Sequence, residues 1–312
     1  MVLSEQRSGS AQTGILFDVK RFAIHDGPGI RTTIFFKGCP LSCLWCHNPE
    51  SQSARPELLF WEERCTGCGA CADACPAGAV SLEDGTAAAD RSLCTGCGAC
   101  IEVCPSQARE SAGEAWSLAR LLETVEQDVL FYDESGGGVT LSGGEPIAQP
   151  DFALALLGAC KERRIHTAVD TCGYAEWDVL SAVASQADLL LYDVKHLDDN
   201  RHLDLTGVSN GRILENLERL SRSGRRIWIR YPLIPGVNDA EEDIGALAKL
   251  ISSLRSVDAI HLLPFHQGGE RKRVGLGRVM ARIPANAPRA AASEAAAEVL
   301  RQAVAVEVRI GG

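Results

Sequence analysis

The sequence predicts an α/β protein: an open, partial (β/α)6 barrel interrupted by a small cysteine-rich insert. Two observations carry this. After Gly113, segments of helix and strand character alternate along the chain, which implies a parallel sheet with right-handed crossovers. Before Gly113, one more strand candidate stands apart from the rest, separated from them by a cysteine run that occurs twice. Strand candidates at 32–37, 138–141, 166–170, 189–193, 227–231 and 259–263 make six, fewer than a closed eight-stranded barrel requires.

Taken in order, residues 1–13 are polar and rich in small side chains, so a flexible N-terminus and no signal peptide are expected. Residues 14–56 form the first part of the barrel. Within them, Phe22-Ala23-Ile24-His25-Asp26-Gly27-Pro28-Gly29-Ile30-Arg31 centres on a turn. The apolar run Ile34-Phe35-Phe36 then leads into a loop with the spacing Cys39-x3-Cys43-x2-Cys46. Three thiolates so placed can hold three irons of a 4Fe–4S cluster and leave the fourth iron open. A tetrahedral zinc ion is the alternative, with His47 as a fourth ligand strained by its adjacency to Cys46.

Residues 57–112 hold the repeat. Cys65-Thr66-Gly67-Cys68-Gly69-Ala70-Cys71-x3-Cys75-Pro76 returns as Cys94-Thr95-Gly96-Cys97-Gly98-Ala99-Cys100-x3-Cys104-Pro105. This is the run of bacterial two-cluster ferredoxins, in which the fourth cysteine serves the other cluster. One 4Fe–4S cluster is therefore expected on Cys65, Cys68, Cys71 and Cys104, and another on Cys94, Cys97, Cys100 and Cys75. A zinc ribbon would separate its knuckles by a longer loop. Residues 113–312 carry the remainder of the barrel and a C-terminal segment. Apolar spacing predicts helices at 116–130, 151–161, 177–184, 213–222, 239–254 and 294–303, the first with Ser117 as a capping residue.

Composition sets the class. A hydrophobic content of 46% and a charged content of 23% are ordinary for a soluble globular chain. The formal net charge of −10 argues against nucleic-acid binding by counterion release, and no apolar stretch is long enough to span a bilayer. Eleven of the 13 cysteines fall between Cys39 and Cys104. In a chain this long with no export signal, such clusters indicate metal in a reducing, cytoplasmic compartment. Arg271-Lys272-Arg273 reads as a solvated face or a local anion contact, and Cys160 and Cys172 read as buried structural thiols.

Each predicted strand runs into a polar motif. The first ends in the cysteine loop, the second in Ser142-Gly143-Gly144-Glu145-Pro146, and the third in Asp170-Thr171-Cys172-Gly173. The fourth ends in Asp193-Val194-Lys195-His196, the fifth in Arg230-Tyr231-Pro232, and the sixth in Pro264-Phe265-His266-Gln267. In a parallel barrel these ends converge on one face and one cavity. Gly143-Gly144-Glu145-Pro146 offers bare backbone and one carboxylate suited to gripping an amino group, and Arg230 in an apolar strand calls for a ligand carboxylate or a protein partner.

The cysteine loop and Gly143-Gly144-Glu145-Pro146 together resemble the cluster and cofactor motifs of radical S-adenosylmethionine (SAM) enzymes. More narrowly, Phe22 to Arg31, Phe36-Lys37-Gly38-Cys39 and Trp45-Cys46-His47-Asn48-Pro49-Glu50 resemble the activating enzymes of glycyl radical enzymes, relatives of pyruvate formate-lyase activating enzyme. The likeness runs from Gly14 to His266. The insert is similar to that of the subgroup serving dehydratases, decarboxylases and C–N or C–S lyases. Pyruvate formate-lyase activating enzyme lacks it, so a different client is expected.

The resemblance implies a radical SAM barrel of partial (β/α)6, TIM-like form with a two-4Fe–4S ferredoxin-like insert. It implies an oxidoreductase that reductively cleaves SAM to methionine and a 5′-deoxyadenosyl radical, which takes a Cα hydrogen from a glycine of its client. Cys39, Cys43 and Cys46 would hold the SAM-binding cluster, making three 4Fe–4S clusters in all. Gly143, Gly144 and Glu145 would contact the methionine amino group. Asp170, Thr171 and Asp193, with the Leu191 carbonyl, match a monovalent-cation site. Lys195, Arg230 and His266 match residues near the cofactor's carboxylate, ribose or adenine. The expected partners are a glycyl radical enzyme and a low-potential flavodoxin or ferredoxin, with the chain itself a cytoplasmic monomer. Two other readings stay open: a radical SAM enzyme acting on a small molecule or peptide, and a ferredoxin-type electron-transfer protein. The client, the donor and the role of the C-terminal segment are not legible.

Overall fold

The computed structural model describes residues 13–266, 268–279 and 290–311. Of the segment expected to be flexible, 1–12 lies outside the described residues and Thr13 opens a strand; Gln267 also lies outside them. The chain begins with β1 (Thr13–Ala23) and β2 (Arg31–Phe36), an antiparallel pair. Next come β3 (Glu57–Phe60), the short helix α1 (Ala70–Asp73), a hairpin of β4 (Val80–Glu83) and β5 (Thr86–Ala89), α2 (Ala99–Glu102) and β6 (Arg109–Ala112). β3 and β6 pair antiparallel from Glu57↔Ala112 to Phe60↔Arg109, so the two ends of segment 57–112 leave the barrel side by side.

After β7 (Glu114–Ser117) the alternation begins. It runs α3 (Leu118–Glu126), α4 (Val129–Ser135), β8 (Gly138–Gly143), α5 (Pro150–Glu162), β9 (Thr167–Thr171), α6 (Trp177–Gln186) and β10 (Leu189–Asp193). It continues with α7 (Asp199–Thr206), α8 (Gly211–Arg222), β11 (Ile227–Leu233), α9 (Glu241–Ser253), β12 (Val257–Pro264), α10 (Glu270–Gly275), α11 (Ala290–Ala303) and β13 (Glu307–Ile310). One nine-stranded sheet takes the order β13-β12-β11-β10-β9-β8-β2-β1-β7. All six predicted strands lie in it as parallel neighbours, and β13 adds a seventh. β1 and β7 extend it antiparallel, so the sheet is mostly parallel and open, with β7 and β13 at its edges.

The helix predicted over 116–130 is instead three elements. Trp116 pairs with Gly14 in β7, Ser117 caps α3 by accepting from the Arg120 amide, and the helix stops before Asp128. The Asp128 carboxylate is 1% exposed and accepts from Arg21 and from Thr32 Oγ1. A carboxylate committed to two strands anchors the chain where a continuous helix would have passed.

Along β10, successive side chains go to opposite faces. Leu190 and Tyr192 join the large core between sheet and helices. Leu189 and Leu191 pack with Ala168, Trp228 and Ala259 in a small inner cluster. Segment 57–112 is tied to the large sheet by Lys37, which lies just after β2 and is fully buried. Its ammonium donates to the carbonyls of Glu50 at 2.6 Å and Ala112 at 3.0 Å and approaches the Glu57 carboxylate at 3.3 Å.

Candidate active site

Because β2 and β8–β12 run parallel, their C-terminal ends open onto one side, where they enclose a cavity of about 480 Å³. Its walls include Cys39, Cys43, Cys46, Gly143, Gly144, Asp170, Thr171, Asp193, Lys195, Arg230 and His266. The site residues predicted at the strand ends are thus gathered here, except Glu145 and Leu191, which do not line the cavity. Asp18, Lys20 and Asp26 from β1 and the turn after it close the opposite wall, so the sheet curls far enough to bring β1 across from β11.

The cysteine loop is held by backbone. Gly38 N donates to the Ser51 carbonyl at 2.7 Å and Cys39 N to that of Gln52 at 3.2 Å. Ser42 N and Leu44 N reach the carbonyls of Thr206 and Leu205 at the end of α7. Burial pushes the Cys43 thiol up to about 12 and raises Cys39 and Cys46 as well. Such surroundings disfavour a bare thiolate, and a bound metal centre is what would take the charge. Among the described residues, no three Cys, His, Asp or Glu side chains converge on a single ion-sized point.

The β8 end lies flat against β2. A Cβ on Gly143, where φ is +110°, would sit 2.4 Å from Phe36 N, and one on Gly144 would sit 2.4 Å from the Gly38 carbonyl oxygen. Only bare backbone fits, and it faces the cavity. Glu145 goes elsewhere. Its carboxylate is 2% exposed and does not line the cavity; it accepts from Thr171 Oγ1 and Cys172 N at 2.9 Å each and from Ile147 N at 3.2 Å. These bonds link the β8 loop to the end of β9.

Three carboxylates and two cations line the next wall. Arg230 Nη1 donates to Asp170 Oδ2 at 3.0 Å and lies 3.7 Å from Asp26, while its Nε is 3.9 Å from Asp193. Lys195 pairs with Asp193 at 2.8 Å. Burial opposes the Lys195 ammonium, but Asp193 and the Cys43 sulfur hold it above the ordinary lysine range. Burial also raises Asp170, which Arg230 opposes. Three carboxylates thus meet two cations, and Asp170 Oδ1 is buried without a hydrogen-bond partner. On the far side, the rings of His47 and His266 stack at 3.7 Å, and burial lowers His47 to about 4.

The basic triplet makes local anion contacts, and Arg271 alone of the three is mostly in solvent. Arg273 Nη2 donates to the carbonyls of Cys43 at 3.3 Å and Leu44 at 3.2 Å. Lys272 bonds Asn48 Oδ1 at 3.1 Å and the Glu50 carboxylate, and Arg271 pairs with Glu63. Arg278 donates to the Pro49 carbonyl, to Gln52 and to Glu57. α10 and the residues after it thus brace the cysteine loop from behind and join it to the insert.

The insert gathers its cysteines as two crossed quartets. Cys94, Cys97, Cys100 and Cys75 line one cavity; Cys65, Cys68, Cys71 and Cys104 line another. The backbone amides of Ala79 and Ala108 each donate to the sulfur four residues before them, Cys75 and Cys104, at 3.3 Å. Gly69 and Gly98, with φ of 79° and 83°, turn the chain into α1 and α2 in a left-handed conformation that needs no Cβ. Of the two thiols left over, Cys160 is core, but Cys172 lines the active-site cavity. Asp26 and Cys172 were visible within the quoted motifs; nothing in their spacing marked them.

A parallel α/β sheet whose strand ends present three thiols and a bare-backbone seat is the architecture of a radical SAM protein, and the sequence family described as the Radical SAM superfamily matches residues 33–249. An isethionate sulfite-lyase activating enzyme of Nitratidesulfovibrio vulgaris is 49% identical over 267 residues, 83% of this chain and 86% of its own. A trans-4-hydroxy-L-proline dehydratase activating enzyme of Clostridioides difficile is 48% identical over 261 residues, again 83% and 86%. The solved structure of Streptococcus suis SuiB bound to precursor peptide SuiA covers 88% of this chain and 46% of its own with a TM-score of 0.53, at 15% identity, and shows a shared fold. The chain belongs to the radical SAM superfamily and, within it, to the activating enzymes of glycyl radical enzymes.

Proposed function

We propose that this protein installs a radical on a glycine of a partner enzyme, using three 4Fe–4S clusters and SAM. The single observation that carries the reading is the shared cavity: three thiols of one loop face bare backbone and a network of three carboxylates and two cations. When bound, the cluster and SAM supply an electron and a sulfonium whose C–S bond breaks reductively. The chain's own part is to seat them. Cys39, Cys43 and Cys46 hold the cluster; Gly143 and Gly144 offer carbonyl and amide groups to the methionine amine; Asp170, Thr171 and Asp193 hold a monovalent cation or balance the ligand's own positive charge. Lys195, Arg230 and His266 bound the remainder of the seat, and the enclosing wall excludes competing hydrogen donors.

Segment 57–112 is a two-cluster ferredoxin-like domain between the barrel halves 14–56 and 113–312, supported by the two crossed quartets. The named relatives serve a sulfite-lyase and a dehydratase, so the client is a glycyl radical enzyme of the lyase or dehydratase kind. The electron donor is a low-potential flavodoxin or ferredoxin, and the protein works as a cytoplasmic monomer. Among the described residues, no helix is long and apolar enough to cross a membrane.

The test is anaerobic reconstitution with iron and sulfide, followed by SAM and a low-potential reductant. The wild type forms 5′-deoxyadenosine, while Cys43→Ala forms none and loses the iron of one cluster only. A fully loaded wild type that leaves SAM intact would sink the reading.

A further inference from the structure

Arg109 opens β6 just beyond the second cysteine run and is 2% exposed. Both terminal nitrogens of its guanidinium are buried without a hydrogen-bond partner; the group lies over the Phe60 ring at 5.0 Å. A guanidinium buried with its terminal nitrogens unpaired costs free energy unless a counter-charge meets it. The carboxylate next to it in sequence, Glu110, is exposed and paired with Arg64. The other charged side chain close by, Arg91, is itself a cation and is turned to the carbonyls of Leu58 and Gly275. What Arg109 does face is sulfur. It lines the cavity of Cys65, Cys68, Cys71 and Cys104, and its charge also acts on Cys100 in the other quartet.

The repeat isolates the residue. Cys75-Pro76-Ala77-Gly78-Ala79 is followed by Val80, and Cys104-Pro105-Ser106-Gln107-Ala108 by Arg109. The alanine amides make the same bond to sulfur in both halves. At the next position one half places an apolar wall on its cavity and the other a cation.

We infer that Arg109 is the internal counter-cation of the insert, set between the two cysteine-lined cavities to balance the negative charge of the clusters they hold. This rests on the two-cluster reading above. Four thiolates leave a 4Fe–4S cluster net negative, more so when reduced, and net charge is one of the terms that set its potential. A fixed cation between two such clusters favours their reduced forms and makes the insert easier to charge with electrons.

The experiment uses the full chain, reconstituted anaerobically, as wild type, Arg109→Gln and Arg109→Lys. Iron and sulfide are counted, and electron paramagnetic resonance follows reduction of the SAM-responsive signal and of the signals that ignore SAM. In Arg109→Gln the reduction equilibrium of the SAM-insensitive signals falls about tenfold, which is 59 mV for one electron, and the SAM-responsive signal stays in place. Arg109→Lys recovers most of that shift. Loss of insert iron in the glutamine variant with retention in the lysine variant supports the same role. Unmoved potentials at full iron in Arg109→Gln, an equal shift of the SAM-responsive signal, or a lysine variant no better than the glutamine variant would overturn it. A wild type that loads a single cluster and shows no SAM-insensitive signal overturns the two-cluster reading first, and this inference with it.

Discussion

The Glu145 carboxylate shows how far a residue's type can be from its job. In the sequence it reads as a ligand contact; in the fold it has three protein donors, from Ile147, Thr171 and Cys172, and burial raises it as a carboxylic acid. Those bonds fix the loop that carries Gly143 and Gly144. Removing the carboxylate strands buried donors that cost about 1–3 kcal/mol when left unpaired, so Glu145→Ala is expected to lose stability and SAM affinity together. Denaturant unfolding without SAM, alongside equilibrium dialysis with it, checks this. Weaker SAM binding at unchanged stability would point to direct contact instead. The cysteines were legible because ligand spacing is written into the chain. Glu145, Asp26 and Arg109 were not, because their meaning lies in which strand each one faces, and sequence spacing carries no such information.

At the scale of elements, the six parallel strands were legible from apolar runs that end in polar motifs, and most helices from their spacing. β1, β7 and β13 were not. β1 mixes exposed Asp18 and Lys20 with buried Leu16, and the other two are four-residue edge strands whose pairing comes only from their neighbours. α10 was missed for a similar reason: its six residues carry charge, not an apolar face. Those charges are structural. Arg278, about a quarter exposed, joins the Pro49 carbonyl, Gln52 and Glu57, whereas Arg271 and Glu63 form a solvent-facing pair. Arg278→Ala is expected to cost about 1–2 kcal/mol after discounting for solvent. Arg271→Ala should cost less than about 0.5 kcal/mol, the range of surface pairs. Urea midpoints of the two variants compare them directly; equal losses would mean that α10 does not brace the loop.

Across the whole molecule, one opening serves every part. The strand ends face one cavity, α10 backs its cysteine loop, and the insert joins the barrel through the buried Lys37 and the β3–β6 ribbon. This arrangement places the strand-end cavity beside a cysteine-rich segment. The most direct test supplies reduced, reconstituted protein and SAM with glycyl radical enzymes whose glycines carry deuterium at Cα. Deuterium should appear in the 5′-deoxyadenosine, matched by a glycine-centred signal in the client. If 5′-deoxyadenosine forms with no deuterium and no glycine signal across the panel, the protein acts on some other substrate.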